Sequence, residues 1–454
     1  MSEIVIENIH TLITEVGEPP EEDMSVRIID EQIDSISSQT ESHWHPDQVI
    51  DASGMLVLPG LVNTHHHFFQ TLNRNIPAVQ NAKLFDWLTY LYEIWKFLTP
   101  EMARTSAQVA ASELILSGCT TAVDHFYVFP NEHQEGILEA EIDGVEEIGL
   151  RFHPTRGSMS LSKEDGGLPP ESVVQDEDTI LNHTRDIIEE YHQPETYGMT
   201  RIVVAPCSPF SVTDTIMTQS KQLGEQYENV YFHTHLAETL DEEKYCLEST
   251  GKRPFEYLEA LDWMDDRCFF AHSVHLNSDE VDRMAEAGAA MSHCPTSNMK
   301  LGSGMAPVVE MLKKGVTVSL GVDGSASNDS SHMIAEARQA LLLQRINYDE
   351  ESITARDVLR AGTVGGADAI GRDDIGTLQP GKAADLIGID LNRLDYAGGL
   401  HDPLTAIVIC RPPKVDLSVI NGELKVQNGE FLPLDLDELT ARQNQLAQQQ
   451  MQQL

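Results

Sequence analysis

The chain has 454 residues, 41% of them hydrophobic, with 73 acidic against 30 basic side chains and a formal net charge of −43. That length suits one large barrel with a smaller appendage, and the hydrophobic fraction supports a sizeable core. No apolar run reaches the roughly 18–20 residues of a membrane span, and no basic stripe is present to neutralise phosphates, so neither membrane insertion nor nucleic-acid binding is expected.

The opening residues lack a basic segment followed by an apolar stretch, so no secretory signal is expected. Residues 4–9, 26–29 and 33–36 read as strands separated by acidic turns, and 41–47 as a polar loop. Eight apolar runs follow, at 55–67, 121–125, 150–156, 202–207, 230–235, 268–272, 289–293 and 316–323. Amphipathic stretches such as 105–116, 278–287 and 331–343 fall between them, which is the alternation of a parallel barrel. Beyond it, the turn-rich 376–385 leads into the apolar 386–389, and Asn421-Gly422 breaks 417–426 as a hairpin. The glutamine-rich stretch 434–454 reads as a surface helix or frayed tail outside any site. The fold class is therefore α/β: a TIM-like (β/α)8 barrel over 59–374, a tail over 435–454, and a small composite β-sandwich from 1–58 and 375–434.

Active sites of such barrels lie at the C-terminal ends of the strands. Asn63-Thr64-His65-His66-His67 closes the first run. Alternate strand residues share a face, so His65 and His67 point into the mouth and His66 points away. Two neutral imidazoles suit a zinc-like ion; without one the run is simply a histidine-rich turn. His235 ends the fifth run as a third ligand, and Glu238 follows one turn later as a proton donor to a ring nitrogen or, alternatively, a helix cap. His272 ends the sixth run, where it orients a water or else is a satisfied core histidine. His275 and His293 are candidates for the pocket wall only. Asp323 ends the eighth run as an isolated carboxylate whose burial without a cation or donors is costly; the alternative is a helix N-cap. Together these make His65, His67, His235 and Asp323 ligands of one divalent metal ion, with Glu238, His272 and Asp323 catalytic. Such an ion lowers the pKa of water from about 15.7 toward ~7.

The sequence resembles the amidohydrolase superfamily, and within it the chlorohydrolase and guanine-deaminase-like aminohydrolases. The resemblance runs through Pro59-Gly60-Leu61-Val62-Asn63-Thr64-His65-His66-His67, His235-Leu236-Ala237-Glu238, His272-Ser273-Val274-His275-Leu276, Ser292-His293-Cys294-Pro295-Thr296-Ser297-Asn298, Gly321-Val322-Asp323-Gly324 and Pro380-Gly381-Lys382-Ala383-Ala384-Asp385-Leu386. It implies one divalent metal, usually Zn2+ with Fe2+ as the alternative, and a homo-oligomer, dimer or larger. Binuclear members carry a metal-bridging lysine at the end of the fourth strand; here that strand ends at Cys207 and no lysine lies between Arg201 and Met217.

A closer resemblance, to 8-oxoguanine deaminases, rests on Leu84-Phe85-Asp86-Trp87-Leu88, Arg156-Gly157-Ser158-Met159-Ser160, Gly166-Gly167-Leu168-Pro169-Pro170 and Ala205-Pro206-Cys207-Ser208-Pro209-Phe210. It implies hydrolytic release of ammonia from 8-oxoguanine, giving urate, or from a related purine base. Trp87 is then a stacking surface, or else a core tryptophan. Arg156 holds a substrate carbonyl or else forms an ion pair, Gln70 reads a ring edge, and Gly166–Pro170 is a lid or a plain loop. Cys207 stands where nucleoside-type relatives commonly carry histidine, which argues against a ribose-bearing substrate. Triazine-type aminohydrolases or chlorohydrolases and S-adenosylhomocysteine or adenosine deaminases resemble the same frame, and a metal-free scaffold relative is the non-enzyme reading.

Six scattered cysteines form no CxxC pair, and the HxE with PCxxC signature of small zinc deaminases is missing, so a reduced cytoplasmic protein is expected. Self-repulsion at −43 is relieved by salt screening, which points to a high-salt organism; an acidic docking surface for a basic partner is the alternative.

Overall fold

The computed structural model describes residues 2–38, 44–411 and 413–454, so part of the expected loop at 41–47 lies outside the described residues. Eight parallel strands close into a barrel: Leu61–Asn63, Cys119–Asp124, Arg151–Ser158, Val203–Pro206, Tyr231–Leu236, Cys268–His272, Ala290–His293 and Thr317–Leu320. Most of their residues are buried, as strands covered on both faces require. Helix ends follow local signals. Ser278–Ala287 starts on an Asn277/Glu280 capping box and stops at Gly288, whose φ is +75°.

The run 55–67, read as one apolar run, divides between two sheets near the expected domain boundary at 58/59. Met55–Pro59 pairs antiparallel with Leu386–Asp390 in a flanking sheet, whereas Leu61–Asn63 pairs with Cys119–Asp124 and closes the barrel through Asn63 and Leu320. Gly60 is the crossing point, where a Cβ would lie 2.1 Å from Thr120 Oγ1. Continuous hydrophobicity cannot reveal such a change of sheet, because both halves are buried.

The flanking β-structure draws on both chain ends. One sheet of six strands joins Thr11–Leu12 and Met55–Pro59 to Leu386–Asp390, Leu417–Ile420, Glu423–Gln427 and Glu430–Phe431. A second sheet of four contains Glu3–Ile9, Met24–Ile29, Gln32–Ser37 and Gln48–Asp51. Ile4, Ile6, Val26, Ile28, Leu386 and Val419 share their core. Asn421 and Gly422 both have positive φ, as a tight hairpin turn requires. Asn421 also accepts a hydrogen bond from Arg151, itself paired with Asp385 inside the protein, so barrel and sandwich are joined by a buried ion pair.

The C-terminal stretch is not a frayed tail. It forms the helix Leu436–Met451, capped by Asp435, with Leu446 and Gln450 buried against the barrel. Among the described residues no helix is long and apolar enough to cross a membrane.

Candidate active site

The chain leaves each barrel strand at the same end, and there the candidate ligands meet. His65 and His67 lie just past Asn63 with ring centroids 4.7 Å apart, while His66 turns away to Ser331. Asp323 Oδ1 stands 3.4 Å from His65 Nε2 and 3.3 Å from His67 Nε2, and His235 Nε2 is 3.4 Å from His67 Nε2. Ala237, His272 and Asp323 adopt left-handed φ of +49°, +72° and +61° at their strand ends. Such conformations cost on the order of 1–3 kcal/mol each and gather at functional sites. Gly324 follows Asp323 because a Cβ there would lie 1.9 Å from Gln70 Oε1.

Hydrogen bonds behind the rings fix their tautomers. His67 Nδ1 donates to the His125 carbonyl at 2.7 Å and His235 Nδ1 to the Cys207 carbonyl at 2.6 Å. His233 Nδ1 donates to Phe269, so its Nε2 accepts from His65 Nδ1 at 2.8 Å. Every candidate ligand therefore turns an Nε2 lone pair toward the carboxylate, and buried His65 Nε2 has no hydrogen-bond partner. Lone pairs facing an anion repel one another unless a proton or a cation lies between them. A tetrahedral ion with bonds of about 2.0–2.1 Å, the zinc–imidazole length, separates its ligand atoms by about 3.3–3.4 Å. The observed spacings match, so the residues fit a divalent metal.

Protonation follows the same geometry. Burial drives His65 and His235 below the ordinary imidazole range. His67 is also buried, but the Asp323 carboxylate outweighs that and holds it above 6.5, while His65 and His67 hold Asp323 well below the carboxylate range. A cation held by these groups would compete with the proton that the Asp323 carboxylate favours on His67. Metal affinity is expected to fall as pH drops through a value above 6.5, with up to one proton released per ion bound. Calorimetric titration in buffers of different ionisation enthalpy checks this; a buffer-independent heat contradicts it.

Glu238 and His272 flank the centre. Glu238 accepts a hydrogen bond from Ser303 at 3.2 Å, and burial together with the Asp323 charge pushes its carboxyl up to about 8. Its Oε2 is 3.6 Å from His272 Nε2, which lies 3.9 Å from Asp323 Oδ2. Asn298 Oδ1 accepts from His272 Nδ1 at 2.9 Å and fixes that ring.

A small cavity opens over these groups, and His67, Gln70, Trp87, Cys207, His235, Glu238, His272 and Asp323 all line it. Burial pushes the Cys207 thiol up to about 12, so it faces the cavity neutral. Arg156, expected to touch substrate, does not reach the cavity. Its side chain leaves the barrel wall outward, lies 4.0 Å over the Phe129 ring, and donates to Gly157, His183 and Gln175. An arginine at that strand position faces the surrounding layer, so its role is packing. His275 and His293 likewise line no part of the cavity. The segment at 166–170 is tied down by Leu168 N–H to the Phe210 carbonyl and Tyr245 hydroxyl to the Gly166 carbonyl.

Sequence reasoning missed Tyr92, Tyr127, Leu301 and Ser327, which also line the cavity, and gave no site role to Leu84, Leu88, Ser208 and Phe210 although they stand in the motifs of the closer resemblance. Leu84, Trp87, Leu88 and Leu91 have the spacing of one helix face, but that pattern marks burial without saying what is buried against it. Also missed were Asp124, which accepts the backbone N–H of Phe68 just past His67, and Glu141; burial raises both carboxyls.

A parallel barrel whose mouth gathers three imidazoles and two buried carboxyls has the groups a metal-assisted hydrolase needs. The sequence model of the amidohydrolase family matches residues 56–425. The chain is 49% identical over 392 residues to an 8-oxoguanine deaminase of Pseudomonas aeruginosa, covering 86% of this chain and 87% of that protein. It is 35% identical over 399 residues to a hydroxydechloroatrazine ethylaminohydrolase of Pseudomonas sp. strain ADP, covering 86% and 82% of the two chains. Among solved structures, atrazine chlorohydrolase from Arthrobacter aurescens TC1, complexed with zinc, superposes with a TM-score of 0.92 at 31% identity, covering 98% of this chain and 100% of that one. This chain belongs to the amidohydrolase family.

Proposed function

We propose that the protein is a zinc-dependent aminohydrolase that converts an aminated purine base and water into the oxo base and ammonia, with 8-oxoguanine as the preferred substrate and urate as the product. The same donors accept Fe2+. The observation that carries the reading is the convergence of His65, His67, His235 and Asp323 beside a buried Glu238 that lies 3.6 Å from His272.

A bound divalent cation supplies a water acidified toward neutral pH. Glu238 gives its proton to the ring nitrogen next to the amine-bearing carbon, which makes that carbon more electrophilic. His272, fixed by Asn298, hydrogen-bonds the oxygen being added to the ring. Asp323 takes one proton of the water and passes it to the departing amine, so ammonia leaves neutral, and the second returns to Glu238 as the added oxygen becomes the carbonyl.

The cavity supports a flat, oxygen-bearing base. Leu84, Trp87, Leu88, Phe210 and Leu301 give apolar walls, and stacking on an indole suits a planar heterocycle. Gln70 Nε2, Trp87 Nε1 and the Tyr92 hydroxyl are buried without partners in it. Leaving such donors unsatisfied costs about 1–3 kcal/mol each, which substrate carbonyls and ring nitrogens would recover. Glu238 and Asp323 are the carboxylates lining the cavity among the described residues, and both are committed to chemistry, so no carboxylate remains for a ribose diol.

The charge of −43 supports a high-salt cytoplasm as its setting. The test is ammonia release from 8-oxoguanine, guanine, isoxanthopterin, adenosine, S-adenosylhomocysteine and an aminotriazine, using metal-reconstituted protein in dilute buffer and in molar KCl. The expected result is highest kcat/KM on 8-oxoguanine, with activity sustained better in KCl. A triazine or nucleoside ranked first overturns the substrate assignment, and better activity in dilute buffer overturns the setting.

A further inference from the structure

We infer that the C-terminal helix Leu436–Met451 is a positioning element of the substrate cavity, acting through two buried glutamines on the short 3-10 segment Phe68–Asn73. The segment follows the ligand His67 directly, its six residues are all buried, and it carries Gln70 into the cavity. Gln443 Nε2 donates to Thr71 Oγ1 at 2.9 Å, and Thr71 Oγ1 donates on to the Ser106 carbonyl. Two turns further along the same helix face, Gln450 Oε1 accepts from Asn73 Nδ2 at 2.9 Å, and Asn73 Oδ1 accepts from Trp95 Nε1 at 2.9 Å. Trp95 meets the edges of Phe69 at 5.2 Å and Trp87 at 5.6 Å between ring centroids, and Trp87 is a cavity wall. The helix is thus linked to both Gln70 and Trp87 by two short chains of contacts.

Anchoring the helix would need only apolar side chains, and Leu446 already supplies one. Burying an amide is costly unless it is hydrogen-bonded, and each glutamine still leaves one atom, Gln443 Oε1 or Gln450 Nε2, without a partner. What the amides add is direction: they hold Thr71 and Asn73 in one register, and with them the Gln70 side chain on the same short turn. Neither glutamine touches the metal ligands, so the effect falls on substrate binding more than on the chemical step.

The inference rests on the reading of the cavity as the substrate site. The experiment uses full-length, metal-loaded Gln450→Met and Gln443→Met, which keep length and remove the amide. KM on the best substrate is expected to rise about three- to tenfold, the worth of one buried hydrogen bond, with kcat within about twofold and metal content unchanged. Hydrogen exchange of residues 68–73 is expected to quicken while the barrel strands keep their protection. Unchanged KM and unchanged exchange overturn the inference whatever happens to the melting temperature. Lowered kcat and metal content at constant KM overturn it too, since the helix would then act through the ligands. A wild type that turns over no candidate substrate falls on the functional reading, and the exchange measurement then decides the inference by itself. Should one variant not fold, the other, at a separate anchor, carries the same two measurements.

Discussion

Glu238→Gln is expected to keep its metal and lose turnover by about 10²–10⁴-fold, the contribution of a positioned general acid. Glutamine has the same shape and can still accept from Ser303 through its carbonyl oxygen, so the pocket is kept and only the transferable proton is removed. The sign of the pH dependence follows from the same group. Burial and the neighbouring Asp323 raise the Glu238 carboxyl to about 8 among the protein's own charges, so it is protonated at neutral pH and activity declines as pH rises through its pKa. A bound cation attracts the carboxylate and shifts that limb downward. Ammonia release against pH, with metal counted by mass spectrometry, checks both points. A variant that retains full metal and wild-type kcat removes Glu238 from the mechanism.

Asp323→Asn is expected to be the more damaging change, with metal occupancy reduced and activity down by more than about 10⁴-fold, beyond the usual range for losing a general acid or base alone. Asparagine tolerates the left-handed φ of +61° at this position, so the strand end should keep its turn and the loss can be assigned to charge. Removing the carboxylate withdraws the partner that holds His67 above 6.5, and it deletes both a ligand and the acceptor for the water's proton. Occupancy measured after reconstitution separates the two effects: restoring metal with excess zinc should recover little activity. Full recovery would reduce Asp323 to a metal ligand.

The comparison between sequence and structure divides along a physical line. Local pattern located the side chains that meet at the barrel mouth. His65, His67, His235, His272 and Asp323 each end an apolar run, and in a parallel barrel all strand ends on one side face one mouth, so residues as distant as His65 and Asp323 were bound to meet once the barrel closed. The hairpin at Asn421-Gly422 and the helix Ser278–Ala287 were legible for the same reason, since turn chemistry and capping act within a few residues.

Direction and partnership across the chain were decided elsewhere. Which way Arg156 leaves its strand depends on Phe129 and His183, neither adjacent to it in sequence. Whether residues 55–67 form one strand or two depends on Leu386–Asp390 arriving from the other end of the polypeptide. The glutamine-rich terminus looked solvated because amides are usually exposed, and only the groove beside Thr71 and Asn73 turns Gln443 and Gln450 inward. The amino-acid order by itself determined the barrel and which imidazoles and carboxyls gather at its mouth, because periodicity and strand ends are local properties. The tertiary structure alone decided the cavity walls and what holds them, because those contacts join segments whose only link is the closure of the fold.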